Sequence, residues 1–564
     1  MTISQDVSAA ALRAAPFKLD DAAVQWVEQT RASLSLDDQL RQLFNEASLG
    51  DDLEAARRLG AQRLGGVTRF VGADARAAWE ATRVMLSQAT VPLLISGDLE
   101  GGAIGMPCAT PVPNQLGMAA TDSESLTCQV AALVAAEGRA LGFNWTFGPV
   151  VDINARHRSA IVATRSFGSD PDRILRLARA HQQAFQRAGL ATTLKHWPGE
   201  GFDERDQHLL TTLNPLGLDE WETRFGRIYR SLIDQGALSV MSAHIAFPAW
   251  AAHCGATGVE LYRPASVSRF INQDLLRGRL GFNGLIVSDA TTMAGLGSWA
   301  ARHQFLPEVI ENGCDMILFS MDVEGDLQVL HRALADGRLS QQRVQDAVTR
   351  VLALKAALGL HRKTADERLP PLQDGRVSLP AHQQLGRQAA GQSVTLVKDV
   401  QGLLPISPAR HRRVVLLIDR QRVGFANDEN PAALRMATLL RERGFEVRDY
   451  DPAQPPTPAS ADLLMLVLAQ ESVYTQGNVW LDWRRITGSP SAAMRRQWHD
   501  LPCLLVSFGH PYYLFDAPRM PCVVNAYSGI ESVQEAVVQR LLGEAPFTGG
   551  NPVDASCGLP DARY

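Results

Sequence analysis

Between residues 65 and 320 the chain repeats one pattern: a short apolar run, a polar turn, then a stretch with apolar residues at helical spacing. The runs are GGVTRF (65–70), VPLLISGD (91–98), FNWTFGPVVDIN (143–154), ATTLKHWPG (191–199), ALSVMSAH (237–244), GLIVSD (284–289) and CDMILFS (314–320). Rich in Val, Ile, Leu and Thr and bounded by Gly, Pro or Asp, they suit strands buried on both faces. The intervening DPDRILRLARAHQQAFQRAG (170–189) and PASVSRFINQDLLRGRLG (264–281) read as helices that end near glycine. With an eighth strand drawn from the region preceding residue 65, the pattern predicts a TIM-like (β/α)8 barrel over residues 1–360 in preference to a doubly wound sheet.

Almost every run ends in polar chemistry at its C-terminal side: Asp98, Asp152, Lys195 with His196, His244 and Asp289. In a barrel those ends converge on one mouth, where the loops after the strands build the active site. The cysteines at 108, 128, 254, 314, 503, 522 and 557 stand singly, without the spacing of a zinc site or a disulfide framework. No metal and no cofactor are expected, and dispersed thiols fit a cytoplasmic protein.

Past residue 360 the composition shifts. Residues 361–392 are Pro- and charge-rich and read as a linker ending in a helix. Then SVTLVKDV, RVVLLIDR, DLLMLVLA, CLLVSFG and CVVNAY alternate with helical stretches such as PAALRMATLLRERG, predicting a smaller α/β sandwich domain at 393–550 and a surface tail at 551–564. A chain of 564 residues with 46% hydrophobic and 20% charged residues has material for two such cores. Its net charge of −5 gives no electrostatic reason to expect nucleic acid or an anionic membrane as partner. The first residues lack the pattern of a secretory signal, and no apolar run reaches the ~18 residues of a membrane span.

Asp289, at the last position of GLIVSD, reads equally as a cap on the following turn or as a catalytic carboxylate projected into the mouth. In KHWPGEGFDERDQH (195–208), Pro198, Gly199 and Gly201 end the strand and open a flap. Asp206 and His208, one residue apart, are close enough for the carboxylate to hold the imidazole in one tautomer, and a histidine so held can donate and recover a proton. A solvated loop in which the two never touch is the plainer alternative. Trp145 and Trp197 read as core residues first and as sugar-stacking rings second.

Taken together and in order, DLEGG (98–102), RSFG (165–168), KHWPGEG (195–201), DQH (206–208), SAH (242–244) and VSDATTM (287–293) resemble glycoside hydrolase family 3, in its two-domain β-N-acetylglucosaminidase branch. The resemblance implies an exo-acting retaining hydrolase of a small carbohydrate. It casts Asp289 as nucleophile, His208 as acid/base with Asp206 as its partner, and Asp98, Arg165, Lys195 and His196 as sugar-binding groups. His244 and Glu200 are counted with the substrate-binding residues, and Arg165 also reads as a plain ion pair. Three positions depart from the family pattern: Glu200 replaces the second His of KHFPGHG, Ala103 stands where an Arg commonly follows EGG, and Gln207 separates Asp206 from His208 in place of Ser. The alternatives are a β-glucosidase, a phosphorylase in which a neutral imidazole tolerates an anionic acceptor, and a sugar-binding protein on a decayed barrel.

Overall fold

The computed structural model describes residues 7–372, 376–420, 434–471, 474–477, 479–496 and 499–564. Eight parallel strands close a barrel: β1 (Phe44–Leu49), β2 (Gly66–Phe70), β3 (Leu94–Gly97), β4 (Trp145–Thr146), β5 (Ala191–Trp197), β6 (Ser239–Ser242), β7 (Leu285–Ala290) and β8 (Met316–Leu318). Neighbours in the barrel are neighbours in sequence, and β8 returns to pair with β1. That is the connectivity that repeated strand–helix units generate without any crossing.

Each expected run supplies a strand, and the eighth is β1, FNEASL, whose Asn45 and Glu46 are buried. Run 143–154 contributes only the two residues of β4 to the ladder, after which the chain continues through Pro149 to a single bridge between Val150 and Lys195. The helix Pro171–Arg187 starts as its sequence requires, with Asp170 capping it and proline in its first turn. The 264–281 stretch differs: it winds as a short 3-10 turn at Ala265–Val267 and then as a π-helix over Phe270–Arg279. Trp145 and Trp197 are wholly buried; Trp145 donates to Thr193 and Ser239, and Trp197 packs edge-on against Trp221 and Tyr229. Both serve the core.

The second domain is a six-stranded sheet in the order β9 (Thr395–Asp399), β14 (Cys522–Asn525), β13 (Cys503–Ser507), β12 (Leu463–Ala469), β10 (Arg413–Arg420), β11 (Glu446–Asp449). All pairings are parallel except β9 with β14. The five expected strands are present; β11 is an edge strand with no buried residue, so it carried no apolar signal. Within the expected helix 431–444, the helix spans Met436–Arg441, and Pro431–Ala433 lie outside the described residues.

One face of this sheet meets the barrel. Ala160 and Ile161, from the segment following β4, join an apolar cluster with Val415, Leu417, Leu466 and Leu505. Leu116 and Ala120 pack with Tyr512 and Tyr527. Among the described residues no helix is long and apolar enough to cross a membrane.

Candidate active site

The C-terminal ends of β3, β5, β6 and β7 carry the charged groups of the mouth. Asp289 is the penultimate residue of β7 and is nearly buried. Its Oδ1 accepts the Ala290 amide at 2.8 Å. Burial alone would push its carboxyl up, but electrostatic interaction with His196, His244 and His208 together with that amide outweighs it and holds the group below the usual carboxylate range. His196, His244 and His208 thus all act on this one carboxylate.

His208 lies on the loop that follows β5. Its Nδ1 and its backbone amide both meet Asp206 Oδ1, at 2.7 and 2.8 Å, so the pair does touch. Since a carboxylate can only accept, Nδ1 carries a proton toward Asp206 and Nε2 is the ring nitrogen that this contact does not use. The loop is seated on the segment just past Asp289: the Ala294 amide donates to the His208 carbonyl at 3.0 Å and Thr211 Oγ1 to the Gly295 carbonyl at 2.7 Å. The Asp206 side chain is wholly buried; burial raises its carboxyl, and the bonds and charge of His208 with the Thr475 amide lower it further than burial lifts it.

At β5, Lys195 is buried between two carboxylates, 2.6 Å from Asp98 Oδ1 and 2.7 Å from Glu100 Oε1. Arg165 holds Glu100 through Nε and Nη2 at 2.9 and 2.8 Å, so its ion-pair reading is realised inside the site. Glu100 balances both cations; burial opposes its charge, but Arg165 and Lys195 keep it ionised. Asp98, with its side chain 23% exposed, is the open member of this cluster.

His196 forms a second Asp–His pair. Its Nδ1 lies 2.6 Å from Asp152 Oδ2, and its backbone amide donates to Asp152 Oδ1 at 3.0 Å. The Glu200 amide donates to the same Oδ1 at 2.9 Å. Gly201 lets the chain pass there: a Cβ would stand 1.9 Å from the Ile153 carbonyl oxygen, and φ is +112°. The Glu200 carboxyl is buried, accepts from Gln207 Nε2 at 2.9 Å through Oε2, and Oε1 has no hydrogen-bond partner among the described residues. Burial, then the charges of Asp152 and Asp206, push it well above the usual carboxylate range, so it is a proton-bearing group.

Gln207 uses its other end to accept the His244 amide at 3.2 Å. His244 has two internal partners: Nε2 donates to the Ala290 carbonyl at 3.0 Å, and Nδ1 faces Ser266 Oγ at 2.9 Å. It therefore buttresses the backbone beside Asp289, and burial favours its neutral form.

Asp152, His196 and Glu200 bring candidate metal-ligating atoms within 4.8 Å of one another, which no spacing in the sequence announced. Both Asp152 oxygens are already engaged, Oδ2 by the His196 ring and Oδ1 by the amides of His196 and Glu200.

The sequence reading missed Glu100, though it lies within DLEGG. A need to balance Lys195 and Arg165 in one buried site was the signal that could have found it. It also missed the second domain's contribution. The Thr475 amide donates to Asp206 Oδ2 at 2.8 Å, and the Tyr474 ring stands 4.8 Å from that of His208.

Comparison with known proteins shows the family and the fold. Residues 35–354 match the glycosyl hydrolase family 3 N terminal domain. A beta-N-acetylglucosaminidase/beta-glucosidase of Cellulomonas fimi is 40% identical, over 98% of this chain and 99% of that protein. Among solved structures, a beta-glucoside phosphorylase superposes with a TM-score of 0.88 at 34% identity, covering 98% of this chain and 100% of that one. A glycoside hydrolase family 3 beta-N-acetylglucosaminidase from Paenibacillus sp. str. FPU-7 shares the fold, with a TM-score of 0.76 at 23% identity over 93% of this chain and 100% of that one.

Proposed function

The chain belongs to glycosyl hydrolase family 3, and from that premise we propose that it is a retaining, exo-acting glycosidase that removes a terminal β-linked N-acetylglucosamine or glucose from a small glycoside, such as a peptidoglycan or chitin fragment. The observation that carries the reading is the seating of the Asp206–His208 pair on the segment immediately after Asp289, whose carboxyl His196, His244 and His208 hold below the usual range.

In the first half-reaction an Asp289 carboxylate oxygen attacks the anomeric carbon while His208 Nε2 gives its proton to the departing glycosidic oxygen. The positive charge that His208 sheds is the one Asp206 stabilises through Nδ1. In the second half-reaction the now neutral Nε2 takes a proton from the acceptor, the acceptor oxygen bonds to the anomeric carbon, and the bond to Asp289 breaks. Asp98, Lys195 and Arg165 supply charged, hydrogen-bonding groups that hold the sugar's hydroxyls for attack. Naming both N-acetylglucosamine and glucose follows the dual activity in the name of the Cellulomonas relative.

Asp289→Asn is expected to abolish trapping of the enzyme by an activated 2-fluoro sugar, read by intact-protein mass. His208→Ala is expected to slow a glycoside with a poor leaving group about 10²-fold more than a dinitrophenyl glycoside. Equal losses on both would remove His208 from the proton-donor role.

Phosphorolysis is the second reading. The acid/base is an imidazole, neutral when the acceptor arrives, so an anionic acceptor meets no carboxylate of its own sign there, and the solved structure of 34% identity is a phosphorylase. A sugar 1-phosphate in place of free sugar when inorganic phosphate is supplied would establish it.

A further inference from the structure

We infer that Tyr474 and Thr475, carried by the second domain beyond β12, are positioning residues for the proton shuttle of the barrel; the inference rests on the reading of His208 as proton donor.

Asp206 has one oxygen for His208 and one for the other domain. Oδ1 takes both the amide and the Nδ1 of His208, and Oδ2 takes the Thr475 amide. Without that second contact the carboxylate plane would be free to turn about its last torsion, which is broad for aspartate. With it, the plane that aims the imidazole is fixed by a group anchored elsewhere. Thr475 delivers its amide with φ at +63°. For a β-branched residue that left-handed backbone is strained and persists only where the surroundings enforce it.

Tyr474 supports the imidazole ring itself. The two rings lie at 70° with centroids 4.8 Å apart. The Arg165 guanidinium carbon stands 5.6 Å from the centroid of the same ring. Arg165 is locked to Glu100, and Glu100 to Lys195. One aromatic ring therefore joins the sugar-gripping charges to the proton shuttle.

The strand end from which these residues depart is tied to the barrel. Glu471 is buried, and its Oε1 accepts the Ala103 amide at 2.9 Å and Asn114 Nδ2 at 2.8 Å. Its Oε2 accepts Ser528 Oγ at 2.9 Å and the Gly529 amide at 3.2 Å, and its carbonyl accepts Thr164 Oγ1 at 2.6 Å. A Cβ at Gly102 would stand 1.8 Å from Glu471 Oε1. The second glycine of DLEGG thus makes room for a side chain of the other domain.

The test compares kcat on a dinitrophenyl glycoside, which needs no acid, with kcat on an alkyl glycoside, which does. Tyr474→Ala and Thr475→Pro are each expected to lose about 10-fold more on the alkyl glycoside. Tyr474→Phe, which keeps the ring, and Thr475→Gly, which keeps the amide and relieves the backbone, are expected to behave as the parent protein. An unchanged rate of trapping by the activated 2-fluoro sugar certifies an intact fold and nucleophile in every variant. Equal losses on both glycosides, or a change in KM alone, would overturn the inference. His208→Ala run alongside separates the two levels. If it shows no leaving-group dependence, the proton-donor reading falls and this inference with it; if it does and the Tyr474→Ala and Thr475→Pro variants do not, only this inference falls.

Discussion

The mouth of the barrel holds two Asp–His pairs that are almost identical in contact and opposite in construction. Asp152 and His196 meet at 2.6 Å, Asp206 and His208 at 2.7 Å, and in both the aspartate also accepts the histidine's own backbone amide. His196 stands on the ladder of β5, and both it and Asp152 are buried. His208 stands on a loop, its side chain 15% exposed, and its aspartate borrows a donor from another domain. On the proposed mechanism, the enclosed pair holds the geometry around Asp289, and the loop-borne pair with its open edge is the one that meets a departing oxygen and then a different acceptor. The chemistry of a carboxylate–imidazole contact does not decide its role; the element that carries it does.

The sharpest way to break this contrast is to remove each aspartate. Asp152→Ala strips the acceptor from the His196 ring, the His196 amide and the Glu200 amide at once. It is expected to cost about 3 kcal/mol of stability and to depress kcat/KM on every glycoside alike, whatever the leaving group, as thermal unfolding and steady-state rates would register. Asp206→Asn, which keeps one acceptor oxygen, is expected to cost less stability than Asp152→Ala, yet to lose about 10²-fold on alkyl glycosides and under 10-fold on dinitrophenyl ones. A uniform loss in the second variant, or a selective one in the first, would erase the distinction.

Glu200, which bridges the two pairs through the Asp152 amide contact and Gln207, offers the smallest effect. Its carboxyl binds a proton more tightly in the folded protein than the ordinary value of 4.5 allows. The stability this contributes is complete below pH 4.5 and is lost as pH rises through the folded value. Glu200→Gln cannot titrate, so its unfolding temperature relative to the parent is expected to climb as pH increases above 4.5. A constant difference across pH would show that Glu200 is charged in the fold.

Much of this was readable from the residues because the barrel strands are buried on both faces and so spell continuous apolar runs. Where burial is mixed the reading thinned: β1 carries Asn45 and Glu46 into the interior, and β11 lies at a polar edge. Asp98, Lys195, His196, Asp206, His208 and Asp289 were legible because each ends a strand or punctuates the turn beyond one. Tyr474 and Thr475 were not, since a backbone amide aimed at a carboxylate 269 residues away leaves no mark on local composition. Glu471 is hidden for the same reason: its partners Ala103 and Asn114 come from loops whose approach only the folded chain defines.

The fit between Gly102 and Glu471 has a consequence for how this protein can vary. Because a Cβ at 102 would collide with the carboxylate opposite it, and the backbone there stands at φ +57°, the glycine is held in place from both sides, by its own conformation and by its neighbour across the domain boundary. A barrel transplanted onto a foreign partner domain would inherit an empty socket at that glycine, and a foreign barrel offered to this sheet domain would meet a protruding peg.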